Sequence, residues 1–527
     1  MRGILRFIAL LIYVAAGFVI GFMVGRLVLI PVAAVTHVGH GLQMGLSVAA
    51  GLLGIFSAVG YWRAKFGDFQ GSGGGVHGSA RFAGAEEVRR SLGSGAGLIV
   101  GRENRRGGQL LRYAGQAHLL TIAPTRSGKG VGAIIPNLLT ADRSVLCIDP
   151  KGENAQITAR ARARFGLVYV LDPFGISGQP SAAFNPLAGL DPDSLDLAED
   201  AALLADALVH DPPGQGGEAH WNEEAKALIA GVILYVVCEE RPETRTLATV
   251  RELLTLSPGD FASSLAIMQE STSAGGLVRR AANRHLGKSE REAAGVLSSA
   301  QRHTHFLDSV RINQTMARSD FRFADLKAGK ATVFLVLPPE RLDTYSRWLR
   351  VMVAQAIHDL ARSPARPAAP VLFLLDEFAA LGRLEPVERA FGLMAGYGLQ
   401  LWPILQDMHQ LWSAYGKTAG TFVSNAGLVQ IFNVADVETA SWVSKSIGAT
   451  TMSYQTTGTS TSRGAMQFFE TKSSSTSTHL SRRELMTPDE IMRLDSSLEV
   501  LLRQGAAPVI AAKIRYFDDP AFRNLAN

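Results

Sequence analysis

The chain is 527 residues long, too long for one ordinary domain. It is 47% hydrophobic and 19% charged, which excludes a wholly disordered chain and allows a large core. Its 52 Lys and Arg against 47 Asp and Glu leave a net charge of +5, which permits nucleic acid or anionic lipid as a partner and requires neither.

Two apolar, uncharged runs open the chain, at residues 7–25 and 42–62. Each reaches the length of about 20 residues that a hydrocarbon core of about 30 Å requires, and the first is too long for a cleaved signal peptide. Residues 1–65 therefore read as a membrane anchor with two transmembrane helices. Arg2 and Arg6 precede the first run, and Arg63 and Lys65 follow the second, so both chain ends are expected in the cytoplasm. Gly17, Gly21 and Gly25 share one helix face, as do Ala50, Gly54 and Ala58, a spacing that lets helix backbones approach closely.

A glycine-rich junction at residues 71–75 precedes a pattern of near-continuous apolar runs at 118–123, 144–148, 167–171, 332–337, 371–375, 400–405 and 429–432. Such runs, separated by helical patterns, predict parallel strands covered on both faces and so a wound α/β domain over residues 76–190 and 321–527. The stretch 191–320 carries Leu-Ala-Glu-rich helical repeats and few strand candidates, and reads as an all-α insertion. The Ser/Thr-rich segment 450–481 reads as a mobile loop or hairpin, and residues 508–516 as a last strand. Cys147 and Cys238 lie alone in apolar runs and read as buried cytosolic thiols, with no disulfide framework and no metal-ligand spacing.

The chemistry concentrates at Ala123-Pro124-Thr125-Arg126-Ser127-Gly128-Lys129-Gly130, between a strand and a helix. A tight turn there aims backbone N–H groups at phosphate oxygens, the helix N-terminus adds partial positive charge, and Lys129 supplies a full one. The match to GxxxxGK[ST] is imperfect: Ala123 replaces the first glycine, and Gly130 replaces the hydroxyl residue that holds Mg²⁺. Downstream, the apolar run VLFLL leads straight into Asp376-Glu377, which places two carboxylates at the carboxyl edge of the sheet beside the loop. Asp376 is expected to orient Mg²⁺ and Glu377 to activate water against the γ-phosphate of ATP. Gln406, after the run LWPIL, is a candidate γ-phosphate sensor, and Asp149 to Glu153 fall at the same edge.

At this point the sequence resembles the TraG/VirD-type coupling proteins of type IV secretion and conjugation. The phrases HGSARFA (77–83), APTRSGKGVG (123–132), DPKGE (149–153), LDPFG (171–175), FNPL (184–187), HWNEEAKALI (220–229), VFLVLPPERLDTYSRWLR (333–350), LLDEFAALG (374–382), LQD (405–407) and LMTPDEI (485–491) carry the likeness in one order across nearly the whole chain. The resemblance implies a RecA-like P-loop nucleotide domain with an all-α domain, a homo-hexameric motor in the bacterial inner membrane, and ATP with Mg²⁺ as cofactors. It implies that a relaxase–single-stranded DNA complex, or an effector protein, is received and passed to the secretion channel. Family P-loops often carry glycine after the lysine, which accommodates Gly130 and leaves Thr125, Ser127 or water to meet the cation. An arginine from an adjacent subunit steadies charge in related ring motors, and Arg383, Arg389, Arg482 and Arg483 are candidates. Arg279, Arg280, Arg284 and Lys288 form a basic cluster that reads as a solvated helix face rather than a DNA-binding one. The competing reading is a nucleotide-gated cargo receptor or scaffold for protein-only export, which would need no water-activating base.

Overall fold

The structure is a computed structural model that describes residues 14–28, 40–66, 77–93, 95–105, 107–210, 219–393, 395–462 and 471–526. Thirteen strands are named among these: β1 (Leu98–Glu103), β2 (Leu110–Tyr113), β3 (His118–Ile122), β4 (Val145–Asp149), β5 (Leu167–Leu171), β6 (Ala331–Val336), β7 (Val371–Leu375), β8 (Leu399–Leu405), β9 (Ala426–Phe432), β10 (Ala449–Ser462), β11 (Thr471–Glu484), β12 (Leu498–Arg503) and β13 (Val509–Ala512). Two compact units emerge, one of residues 1–79 with 449–483, the other of residues 80–448 with 484–527.

In the larger unit, eleven strands form one sheet in the order β2-β1-β13-β12-β9-β3-β8-β7-β4-β6-β5. From β9 to β5 every pairing is parallel. From β9 out to β2 every pairing is antiparallel. Apart from the edge strand β5, whose first residues are exposed or half-buried, the parallel strands are buried on both faces, which is why their sequences read as apolar runs rather than alternating ones. Leu146 and Ile148 of β4 pack into one core, Val145 and Cys147 into the other.

Between β5 and β6 the named elements are all helical, including Leu197–Leu208, Ala219–Glu239, Pro258–Glu270, Ser273–Leu286 and Glu290–Thr304. Their apolar residues join one face of the sheet in a continuous core, from Leu204 and Val232 through Ile357 to Phe373. The all-α stretch is thus part of the larger unit and does not form a separate compact body. Arg350, from the helix Leu342–Arg362, ties the two together. It donates to the carbonyl of Ala207 at 3.0 Å and to that of Arg383 at 2.8 Å, beyond the Asp376-Glu377 pair.

The smaller unit contains a helix at 14–28 and another at His40–Phe66. They pair through the small residues: a Cβ added to Gly17 would lie 2.6 Å from the Gly54 carbonyl oxygen and 2.7 Å from the Ala58 Cβ. Ile20, Met23, Leu53 and Phe56 remain exposed on this pair. Among the described residues no helix is long and apolar enough to cross a membrane. Residues 7–13 of the first expected span lie outside the described residues, so the two-span topology rests on the sequence. The Ser/Thr-rich segment forms the hairpin β10–β11, with residues 463–470 outside the described residues.

Candidate nucleotide site

The parallel strands deliver their carboxyl ends to one edge. The order β9-β3-β8-β7-β4 there sets Asn433, Ala123, Gln406, Asp376 and Asp149 side by side. Because β3 continues to β4 across β8 and β7, the chain reverses its winding at β3. A crevice opens outside the strand ends at such a switch point.

The loop 123–129 leaves β3 through two left-handed residues, Arg126 (φ 63°) and Gly128 (φ 93°). The second is the natural place for glycine, whose missing Cβ removes the penalty of that conformation. A Cβ added at Gly128 or at Gly130 would meet nothing within 4 Å, so the space above the loop is open. The following helix starts with a π-helical turn, Gly130–Ile134, before the α-helical Ile135–Thr140. Such turns are rare and concentrate at functional sites.

Lys129 reaches back over the loop to both carboxylates. Its Nζ lies 2.8 Å from Asp376 Oδ1 and 3.2 Å from Glu377 Oε2. Burial works against its charge, but Asp376 and then Glu377 overcome that effect and raise its pKa. Asp376 is itself buried, which pushes its carboxyl up, while Lys129 pulls it back. Glu377 is held in a left-handed conformation (φ 54°, ψ 43°), a conformation uncommon for a residue with a side chain and typical of functional sites. Gln406 donates from Nε2 to Glu377 Oε1 at 2.8 Å and accepts from Thr125 Oγ1 at 3.4 Å. One chain of contacts therefore runs from the loop through Gln406 and Glu377 to Lys129.

Asp149 stands two strands from Gln406, at the end of β4. Burial pushes its pKa to about 6, and its Oδ2 accepts from the Ala155 N–H at 2.8 Å. It caps its own helix and adds negative charge beside Asp376.

The opposite wall of the loop is built by a residue with no local signal in the sequence. Lys513, just past β13, donates to the Ser127 carbonyl at 2.9 Å and to Asn433 Oδ1, and its ammonium sits 4.6 Å from the centre of the Phe432 ring. The apolar run 508–516 predicts one strand, but pairing ends at Ala512 and the chain turns under the loop. Ser127 Oγ is buried and has no hydrogen-bond partner.

These residues fit a nucleoside triphosphate with a divalent cation. The open glycine cradle has room for phosphate, Lys129 supplies charge, and the orphaned Ser127 hydroxyl offers an oxygen that Gly130 lacks. Other candidates fall elsewhere. Arg383 pairs with Glu388 at 3.4 Å, and with Arg389 it lines a cavity of about 700 Å³ against the all-α stretch, with no loop residue in its wall. Arg482 and Arg483 belong to the hairpin β10–β11. Half of the basic cluster is paired with acids: Arg284 and Lys288 each lie 2.7 Å from Glu224, and the Arg284 hydrogen bond, aided by Lys288, holds that carboxyl at about 2.

A wound, mostly parallel sheet with an open glycine loop, a lysine and a carboxylate pair at its switch point defines an α/β protein with a candidate phosphate-binding site. The family model "Type IV secretory system Conjugative DNA transfer" matches residues 86–527, and the chain belongs to that family. It is 30% identical to the conjugal transfer protein TraG of Escherichia coli, over 85% of this chain and 78% of that one. It is 31% identical to protein VirD4 of Agrobacterium fabrum (strain C58), over 85% of this chain and 67% of that one. The fold matches the plasmid coupling protein TrwB in complex with ADP and Mg²⁺, with a TM-score of 0.60 at 17% identity, covering 83% of this chain and 94% of that one.

Proposed function

We propose that the chain is a coupling ATPase that uses ATP and Mg²⁺ to deliver a relaxase–single-stranded DNA complex, or an effector protein, to a type IV secretion channel. The observation that carries the proposal is the pairing of Lys129 with both Asp376 and Glu377 beneath an open phosphate cradle. The backbone N–H groups of 126–130 and the Lys129 ammonium hold the phosphates. Asp376, with Ser127 Oγ as a second oxygen, holds the cation, which supplies charge neutralisation at the terminal phosphates when bound. Glu377 takes the proton of the attacking water, and Gln406 keeps its carboxylate aimed. Lys129 holds the two carboxylates together until phosphate oxygens compete for its ammonium.

The helix pair of residues 14–28 and His40–Phe66 anchors the chain in the bacterial inner membrane, with both ends cytoplasmic. Its exposed apolar side chains support this, as do its closely packed glycines and the basic residues flanking the apolar runs. Six copies form the ring, as the family likeness suggests.

The test is ATP turnover by the full chain in lipid nanodiscs, with and without single-stranded DNA. Turnover that rises with DNA is expected. Tight ATP binding without turnover, with DNA and at high protein concentration, would replace this reading with that of a nucleotide-gated cargo receptor.

A further inference from the structure

The catalytic groups approach the loop from β8 and β7, yet the loop's shape is set from the other side. Residues 513–514 run directly beneath the first turn of the helix that follows it. A Cβ at Gly132 would lie 3.0 Å from the Ile514 carbonyl oxygen and 3.6 Å from the Phe432 ring, so this contact leaves room for glycine. The Lys513 ammonium is anchored by Asn433 Oδ1 and by the Phe432 ring face, and its remaining bond goes to one backbone atom of the loop, the Ser127 carbonyl oxygen.

That bond has a directional consequence. In a trans peptide the C=O of one residue and the N–H of the next point to opposite sides of the chain. Holding the Ser127 carbonyl down toward Lys513 turns the Gly128 N–H up into the open space above the loop. Gly128 at φ 93° has no Cβ to resist either orientation of that peptide, so an external tether is needed to choose one. Charge-assisted donors are the strong ones, and Lys513 also brings a positive charge within one peptide of the phosphate position.

We infer that Lys513 is a positioning residue of the nucleotide site: it orients the Ser127–Gly128 peptide so that the Gly128 N–H faces the phosphates. The inference rests on the reading of loop 123–130 as the phosphate cradle. It assigns the antiparallel flank of the sheet a part in nucleotide affinity.

The experiment is a titration of the full chain in nanodiscs with fluorescent mant-ADP and Mg²⁺, with ATP kinetics alongside, for wild type, Lys513→Met, Lys513→Arg and Lys129→Ala. Lys513→Met is expected to raise the mant-ADP Kd about tenfold, as loss of one charge-assisted bond implies. The loss should appear in Kd and KM more than in kcat. Lys513→Arg should recover most of the affinity, because a guanidinium can donate to the Ser127 carbonyl and Asn433 together. Wild-type affinity in Lys513→Met would overturn the inference. So would Lys513→Arg binding as weakly as Lys513→Met, which marks a packing role. Should Lys513→Met fail to melt cooperatively, Lys513→Gln is read by the same criteria. Undiminished binding in Lys129→Ala would instead remove the cradle reading itself, whatever Lys513 does.

Discussion

The two sides of β3 treat the same loop differently. Toward β8 and β7, the strand ends carry Gln406, Asp376 and Glu377, and their polar atoms meet one another and Lys129 around open space. Toward β9, β12 and β13, the polar groups are buried and bonded inward. Thr121 Oγ1 donates to Gln430 Oε1 at 2.9 Å, and Gln430 Nε2 donates to Glu499 Oε2 at 2.7 Å. One side presents groups that can exchange partners; the other fixes the strand from which the loop springs. A phosphate loop needs both, because donors can be aimed only if the backbone behind them does not move.

The largest effect that would separate the two sides belongs to Glu377. Glu377→Gln should lower ATP turnover by about a thousandfold, the middle range for a lost general base, while ATP binding is retained because the loop and its braces survive. Loss of binding along with turnover would show that Glu377 shapes the cradle.

Gln406→Ala comes next. It removes the donor on Glu377 Oε1 and should lower kcat by about tenfold, as one bond to a charged group predicts. A change confined to KM would move Gln406 to the bracing side.

On the bracing side the test is pH. Complete burial pushes the Glu499 pKa from 4.5 to about 8, against the hydrogen bond from Gln430 and the charge of Lys513. A carboxyl raised on folding favours the folded state while it stays protonated. Its contribution is whole below pH 4.5, erodes as pH rises from there, and is lost as pH passes about 8. Thermal melts should therefore show wild type losing Tm between pH 5.5 and 8 relative to Glu499→Gln. Parallel curves would place Glu499 outside the dry network.

The smallest effect is expected furthest away. Arg284→Ala should change DNA-stimulated turnover by less than about twofold, since its charge is already spent on Glu224 and exposed pairs contribute little. A large loss of stimulation would return the basic cluster to the DNA path.

The same contrast explains what the sequence made legible. β3, β4, β6, β7, β8 and β9 are covered on both faces, so each reads as an apolar run whose last residue marks the sheet edge. Asp376-Glu377 follows such a run directly, and Gln406 follows another, so both positions were visible. β1, β2 and β12 were not, because Gly101, Arg102, Arg112 and Glu499 interrupt them. Those residues are tolerated through distant partners, such as Asp519, which accepts from Arg102 at 3.1 Å, and Gln430, which donates to Glu499. Partners 417 and 69 residues apart leave no local pattern. Lys513 was hidden for a related reason: it continues an apolar run and looks like a strand residue until the chain turns under the loop. The helix pairing of Gly17 with Gly54 was legible, since small residues every fourth position depend on spacing alone.

The most direct test of the account is steady-state ATP hydrolysis by the full chain and its Lys129→Ala variant, side by side at saturating single-stranded DNA. Lys129 closes the loop 123–129 and pairs with both carboxylates. Turnover at background is expected in the variant, with mant-ADP binding lost as well. Turnover in Lys129→Ala equal to wild type would contradict it.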